Sequence, residues 1–310
     1  MSAALVLLIL IGMAAIVWSA CFIGCDRVFG LTEITPSTVY QDIVTTTPGL
    51  VAFWPLNDTS GTVAVELGPN HFNGTYTVGP VVTVYNAAQQ SDVSPGTFAL
   101  NQTNIVAGDA LVGDPTNLSP CVLFNGGYVV VPWQAALGPP LPGQFTLEAW
   151  VVPNWTLADA QAHPSFRAVV SSAAAVSGMF TGFGLLATPD NLWSVAIGIG
   201  SRDVTATIGN NQTIVEGSLY FLVVTYDGST LTLWVNPADT SQPPDASVAA
   251  SGYVPVASPV PLYIGQGRPD LPTPLFPFNG SIQDVALYRV VLDGQTIENH
   301  YLNGLGLQMS

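Results

Sequence analysis

Apolar and polar residues alternate along Phe145-Thr146-Leu147-Glu148-Ala149-Trp150-Val151-Val152-Pro153. Phe145, Leu147, Ala149 and Val151 fall on one face; Thr146, Glu148 and Trp150 fall on the other. A period of two predicts a strand with one face inward. Gly143 and Pro153 bound it. The large ring of Trp150 predicts that the second face is also partly covered. A strand covered on both faces belongs inside a sheet.

The same reading finds further strands at 121–124, 127–132, 167–173, 180–187, 192–199, 203–208, 219–226, 230–235, 261–265 and 280–290. Turn signals separate them, among them Asn125-Gly126-Gly127 and Pro189-Asp190-Asn191. Residues 219–226 and 230–235 form a hairpin across Asp227-Gly228-Ser229. Residues 66–75 read as a turn-rich connection, 84–118 as an elaborated loop with room for a short strand, and 236–248 as a polar loop. The globular part opens at Leu50-Val51-Ala52-Phe53-Trp54-Pro55-Leu56. Asp293 caps a helix over 295–302 that Asn303-Gly304 closes. Strands at this spacing predict a β-sandwich.

The N-terminus follows another pattern. Ala3 to Gly24 holds no charge and is long enough to cross a bilayer as a helix. Met1-Ser2 supplies no basic n-region, so a retained anchor is favoured over a cleaved signal. Cys21 and Cys25 lie four apart and are either acylation sites or ordinary apolar-segment cysteines. The expected division is an anchor or uncleaved signal over 1–25, a Thr/Ser/Pro-rich stalk over 26–48, and the sandwich over 49–310.

Composition sharpens this. Of the 310 residues 48% are hydrophobic and 8% charged, with 30 Gly and 25 Pro, which favours an all-β domain with many turns. Five Arg and no Lys stand against 20 acidic residues, a net charge of −15. That balance argues against nucleic acid or an anionic membrane surface as partner. It also removes Lys Schiff-base chemistry. Three cysteines are too few for a disulfide scaffold, and Cys121 reads as a buried small hydrophobe. Sequons occur at Asn57, Asn73, Asn101, Asn117, Asn154, Asn211 and Asn279. Chance gives roughly two or three, so the excess points to a body facing a lumen or the outside and carrying glycans. Asn73-Gly74 and Asn279-Gly280 also read as turns.

Five segments, in order, resemble the laminin-G-like, concanavalin A-like lectin/glucanase family. They are LVAFWPLNDTSGTVAVELGPNHFNGTY, VLFNGGYVVVPW, FTLEAWVVP, LYFLVVTYDGSTLTLWVN, and PLYIGQGRPD followed by FNGSIQDVALYRVVLDGQTIENHYLNG. The resemblance covers about residues 50–306. It implies a two-sheet antiparallel jelly roll whose ligands bind in a concave face or at a rim, often beside calcium. It further implies a structural calcium held by an acid in the opening loop and one in the closing strand. The matching positions are Glu66 with Asn70, and Asp284. Gln283 stands where the family has an acid, which weakens the site.

Hydrolysis needs paired carboxylates. The central strand offers Glu148 alone, so no catalytic residue is assigned. His71, His163 and His300 are dispersed, without metal-ligand spacing. Most aromatic residues read as core; Tyr128 and Trp133, beside a Gly- and Pro-rich loop, are the rim candidates for a sugar. The expectation is a non-enzymatic, membrane-anchored sandwich at a cell or virion surface that binds carbohydrate or glycoprotein. The alternative is a coat, sheath or virion-surface protein that packs against copies of itself. A glycoside hydrolase stands behind both.

Overall fold

In the computed structural model, Phe145–Pro153 is a strand at the centre of an eight-stranded antiparallel sheet. The structure describes residues 40–80, 96–109, 119–138, 143–209, 212–273 and 275–307. The expected anchor at 1–25 and most of the stalk lie outside them.

In chain order the elements are α1 (Tyr40–Thr46), β1 (Leu50–Trp54), β2 (Val63–Ala64), β3 (Gly74–Thr77), β4 (Thr97–Gln102), a 3-10 turn (Ala107–Asp109), β5 (Cys121–Asn125), β6 (Tyr128–Val131) and β7 (Phe145–Pro153). Then come α2 (Leu157–Ala162), β8 (Arg167–Ser171), β9 (Ala174–Val176), β10 (Met179–Thr181), β11 (Phe183–Ala187), β12 (Trp193–Gly198) and β13 (Asp203–Thr207). Last are β14 (Tyr220–Tyr226), β15 (Thr230–Val235), β16 (Ala246–Ala249), β17 (Leu262–Ile264), β18 (Asn279–Tyr288) and α3 (Gly294–Gly304). Sheet one runs β16-β15-β14-β7-β18-β5-β4, with β1 also paired to β18. Sheet two runs β13-β12-β11-β8-β17-β6-β3-β2. The expected all-β, two-sheet sandwich is the fold.

The alternation on β7 sorts its side chains into two cores. Phe145, Leu147, Ala149 and Val151 enter the core between the sheets, beside Val170, Phe183, Leu185 and Ile264 of sheet two. Trp150 enters a second core on the outer face of sheet one, with Tyr40, Val44, Phe221, Tyr288 and Ile297. Its ring stacks on Phe221 at 4.5 Å and lies 5.9 Å from Tyr301. Such pairs add about 0.5–1.5 kcal/mol beyond burial. The cover predicted for that face is therefore two helices, α1 and α3.

α1 lies inside the stretch read as stalk, so packed structure begins by Tyr40. Its seven residues are too few to show a helical period, and three of them are Thr or Asp. The C-terminal helix forms as expected: Asp293 accepts from the Thr296 N–H at 2.8 Å. β16 is an edge strand at the end of the stretch read as a polar loop; β4 is the short strand allowed for within 84–118.

Candidate functional site

Helices α1 and α3 pack on the outer face of sheet one. The outer face of sheet two carries a groove of about 250 Å³. Strand register builds its floor. Gly184 pairs with Ser171 on one side and Ala196 on the other, and Leu186 with Ala168 and Ser194. Alternate residues of these strands face the inter-sheet core, so these face outward, all of them small except Leu186. Small residues leave the groove open. Gly198 has a further reason to be small: a Cβ there would collide with the backbone of β10 at Phe180–Thr181.

Phe166 and Phe276 form one side, edge to face at 5.3 Å. The Ala168 N–H donates to the Phe276 carbonyl at 2.9 Å and fixes that side to β8. Arg268 and Asp203 supply charge. Arg268 donates through Nε and Nη2 to the two oxygens of Asp270, each at 2.8 Å. Burial works to raise the Asp270 carboxyl, but Arg268 and the Ala175 N–H outweigh it and hold it below the usual range. Burial raises the Asp203 carboxyl, and Arg268 partly offsets this. Arg268 and Phe276 both adopt left-handed backbone, at φ 53° and 64°. Non-glycine residues rarely do so, and such positions cluster at ligand sites.

The expected calcium ligands do not converge. Glu66 is buried, and its carboxylate accepts backbone N–H groups from Phe53 at 2.8 Å, Phe72 at 2.9 Å and Gly68. It organises the opening loop. Asn70 donates its amide to the Val51 carbonyl at 2.8 Å. Asp284 sits at a bulge in β18, left-handed at φ 52°, and its carboxyl oxygens accept from no N–H or hydroxyl group. It faces Asp109, whose Oδ2 accepts from Gln41 at 2.9 Å and Gln283 at 2.8 Å. Burial first, then the Asp109 charge, pushes Asp284 well above the usual carboxylate range. Burial also raises Asp109. Two carboxyls with amide donors aimed at one of them fall short of the six to eight oxygens calcium takes. Among the described residues no group of three or more His, Cys, Asp or Glu converges on a metal position. The residues present do not fit the implied calcium site. Asp109 lies in a stretch without periodicity, and nothing in the sequence marked it as Asp284's neighbour.

Glu148 is fully buried on the outer face of sheet one, away from the groove. Its oxygens lie 3.1 and 3.0 Å from His300 Nδ1, and Tyr288 donates to it at 3.3 Å. His300 Nε2 lies 2.9 Å from the Thr47 hydroxyl. The chain thus ties α3 to β7 and to the residue after α1. Cys121 is buried, donating to the Thr103 carbonyl at 3.0 Å. Tyr128 lies on the outer face of sheet two, its ring 4.8 Å from Tyr263, whose strand partner Ser171 lines the groove. Trp133 is half-buried and donates to the Val256 carbonyl at 3.3 Å. His71 is exposed.

Of the sequons, Asn101 and Asn73 are exposed, and Asn57 and Asn154 half-buried. Asn117 and Asn211 lie outside the described residues. Asn279 is buried and donates its amide to the Asn154 carbonyl at 3.0 Å, so the folded chain offers no glycan acceptor there. Its Asn-Gly sits at a strand start. Among the described residues no helix is long and apolar enough to cross a membrane. The anchor expected over 3–24 and the cysteines Cys21 and Cys25 fall outside them.

No curated protein matches the chain. Among solved structures it is similar to the Trypanosoma rangeli sialidase in complex with the inhibitor DANA, at 15% identity and a TM-score of 0.44, covering 83% of this chain and 33% of that one. It is also similar to the Ruminococcus gnavus IT-sialidase CBM40 bound to alpha2,3 sialyllactose, at 14% identity and a TM-score of 0.39, covering 49% and 79%. The chain spans about a third of the sialidase's length. These likenesses concern the fold alone. The family model of the concanavalin A-like lectin/glucanases superfamily matches residues 125–298, more than half of the chain. With those residues supplying most strands of both sheets, the chain belongs to the concanavalin A-like lectin/glucanases superfamily.

Proposed function

We propose that the chain is a non-catalytic binding protein that takes carbohydrate, free or on a glycoprotein, in the groove on sheet two. One observation carries this reading. Sheet one has its outer face under helices, and the sheet left open holds a groove with a small-residue floor, an aromatic side and polar groups at one end. Ligand sites combine apolar walls with a few placed polar groups in this way. Of the two carboxyls near Arg268, Asp270 is held in a bidentate pair. That leaves Asp203 alone, and one carboxyl cannot divide the acid and nucleophile roles. The reading places the protein at a surface, held by residues 3–24. A glycan array probed with the full chain, with and without calcium, tests it: bound glycans are expected under both conditions, and no binding under either overturns it.

A second reading is self-assembly. Val176, Met179, Phe166 and Leu275 are all exposed, on the β9–β10 hairpin and the loops beside the groove. Exposed apolar groups near one another mark contact surfaces. Light scattering across a concentration series separates the readings: a growing mass favours assembly, a constant monomer favours the lectin.

A further inference from the structure

The groove's charges and floor narrow the sugar it takes; the argument rests on the carbohydrate reading above. Arg268 uses Nε and Nη2 on Asp270. Its Nη1 hydrogens have no acceptor among the hydrogen bonds of the described residues. They are the donors left on a side chain that lines the groove. Asp203, an exposed acceptor at the start of β13, lines the same groove. Between them and Phe166 and Phe276 lies the floor of Ala168, Gly184 and Ala196. The local charge is one guanidinium against two carboxyls.

We infer that the groove selects a neutral sugar bearing an acetamido group, an N-acetylhexosamine. An acetamido group carries the three complements together. Its carbonyl oxygen accepts from Arg268, its N–H donates to Asp203, and its methyl group lies on the phenylalanine side and alanine floor. A plain hexose lacks the methyl and the carbonyl. An acidic sugar brings a further negative charge to a place where carboxyls already outnumber the cation. The volume of about 250 Å³ lies below the roughly 300–1,000 Å³ usual for drug-sized ligands, so one sugar residue is read rather than a chain.

The test is titration calorimetry on the full chain with N-acetylglucosamine, N-acetylgalactosamine, glucose and galactose. A second pair is the methyl glycoside of N-acetylneuraminic acid and its methyl ester, in which an added methyl group removes the charge. Each N-acetylhexosamine is expected to bind at least about tenfold tighter than its parent hexose, the worth of one hydrogen bond to a charged group. The ester is expected to outbind the acid. Asp203→Asn keeps an acceptor and removes a charge, so it should bring the acid up toward the ester while the urea midpoint stays put. Equal binding of hexose and N-acetylhexosamine, or an acid that outbinds its ester, overturns this inference and leaves carbohydrate binding standing. Failure of every sugar overturns both.

Discussion

Replacing His300 with alanine should destabilise the sandwich by about 3–5 kcal/mol, the usual cost of removing one partner from a buried pair. Both side chains of the pair are fully shielded from solvent. The substitution takes away the two Nδ1 contacts to Glu148, at 3.0 and 3.1 Å, and the Nε2 contact to Thr47 at 2.9 Å. It leaves the buried carboxyl with Tyr288 alone, at 3.3 Å. Domains are stable by about 5–15 kcal/mol, so the loss is a large share of the total. Urea unfolding followed by tryptophan fluorescence gives the number by linear extrapolation. Glu148→Gln alone should cost about 1–3 kcal/mol. The double variant should cost less than the sum by about 0.5–3 kcal/mol, because the two residues share one interaction. A His300→Ala protein within about 0.5 kcal/mol of the parent, or strict additivity, would refute the claim that this pair fastens α3 to β7.

The remaining predictions concern other parts of the fold. Gly304→Ala drives a Cβ into the Trp150 ring, and overpacking of this kind costs about 1–3 kcal/mol, measurable in the same unfolding assay. Asp109 and Asp284 have raised folded pKa values, so the native chain keeps a proton that the unfolded chain releases from about pH 4 upward. Their contribution is fully present below that pH and is lost as pH rises through the folded values. Asp284→Asn should flatten this decline and leave the chain more stable than the parent at neutral pH. Calcium or a chelator should leave the midpoint of either protein unchanged; a calcium-dependent rise that Asp284→Asn abolishes would show that the pair holds the ion after all. In material made through a secretory route, peptide mass spectrometry should find glycan at Asn101 and none at Asn279.

Much of the fold was legible because strands announce themselves locally. The alternation in 145–153, the Asp227-Gly228-Ser229 turn and the Asp293 cap each need only a few neighbouring residues. Short helices do not. α2 has six residues, and its signal was a capping box in which Thr156 and Asp159 bond each other's backbone, written in the sequence as Thr-x-x-Asp before no clear apolar run. The groove was illegible for a different reason. Ala168, Gly184 and Ala196 come from three strands, and only sheet register makes them neighbours. Asp109 meets Gln283 across 174 residues of sequence, from a segment with no period to place it. Glu66 was visible as an acid in the opening loop, but the three N–H groups it accepts come from backbone, which no side-chain pattern reveals.

The account turns on the groove of sheet two as the place where a sugar binds. Gly184 tests it directly. A Cβ there meets Ser171, Leu186 and Ala173 no closer than 3.6 Å, so Gly184→Leu enters the groove from its floor without a steric conflict at Cβ. The measurement is glycan binding by this variant beside the parent, with the urea midpoint as the control for folding. The predicted result is an unchanged midpoint and lost binding; a folded Gly184→Leu protein that binds the same glycans at the parent's affinity would contradict the account.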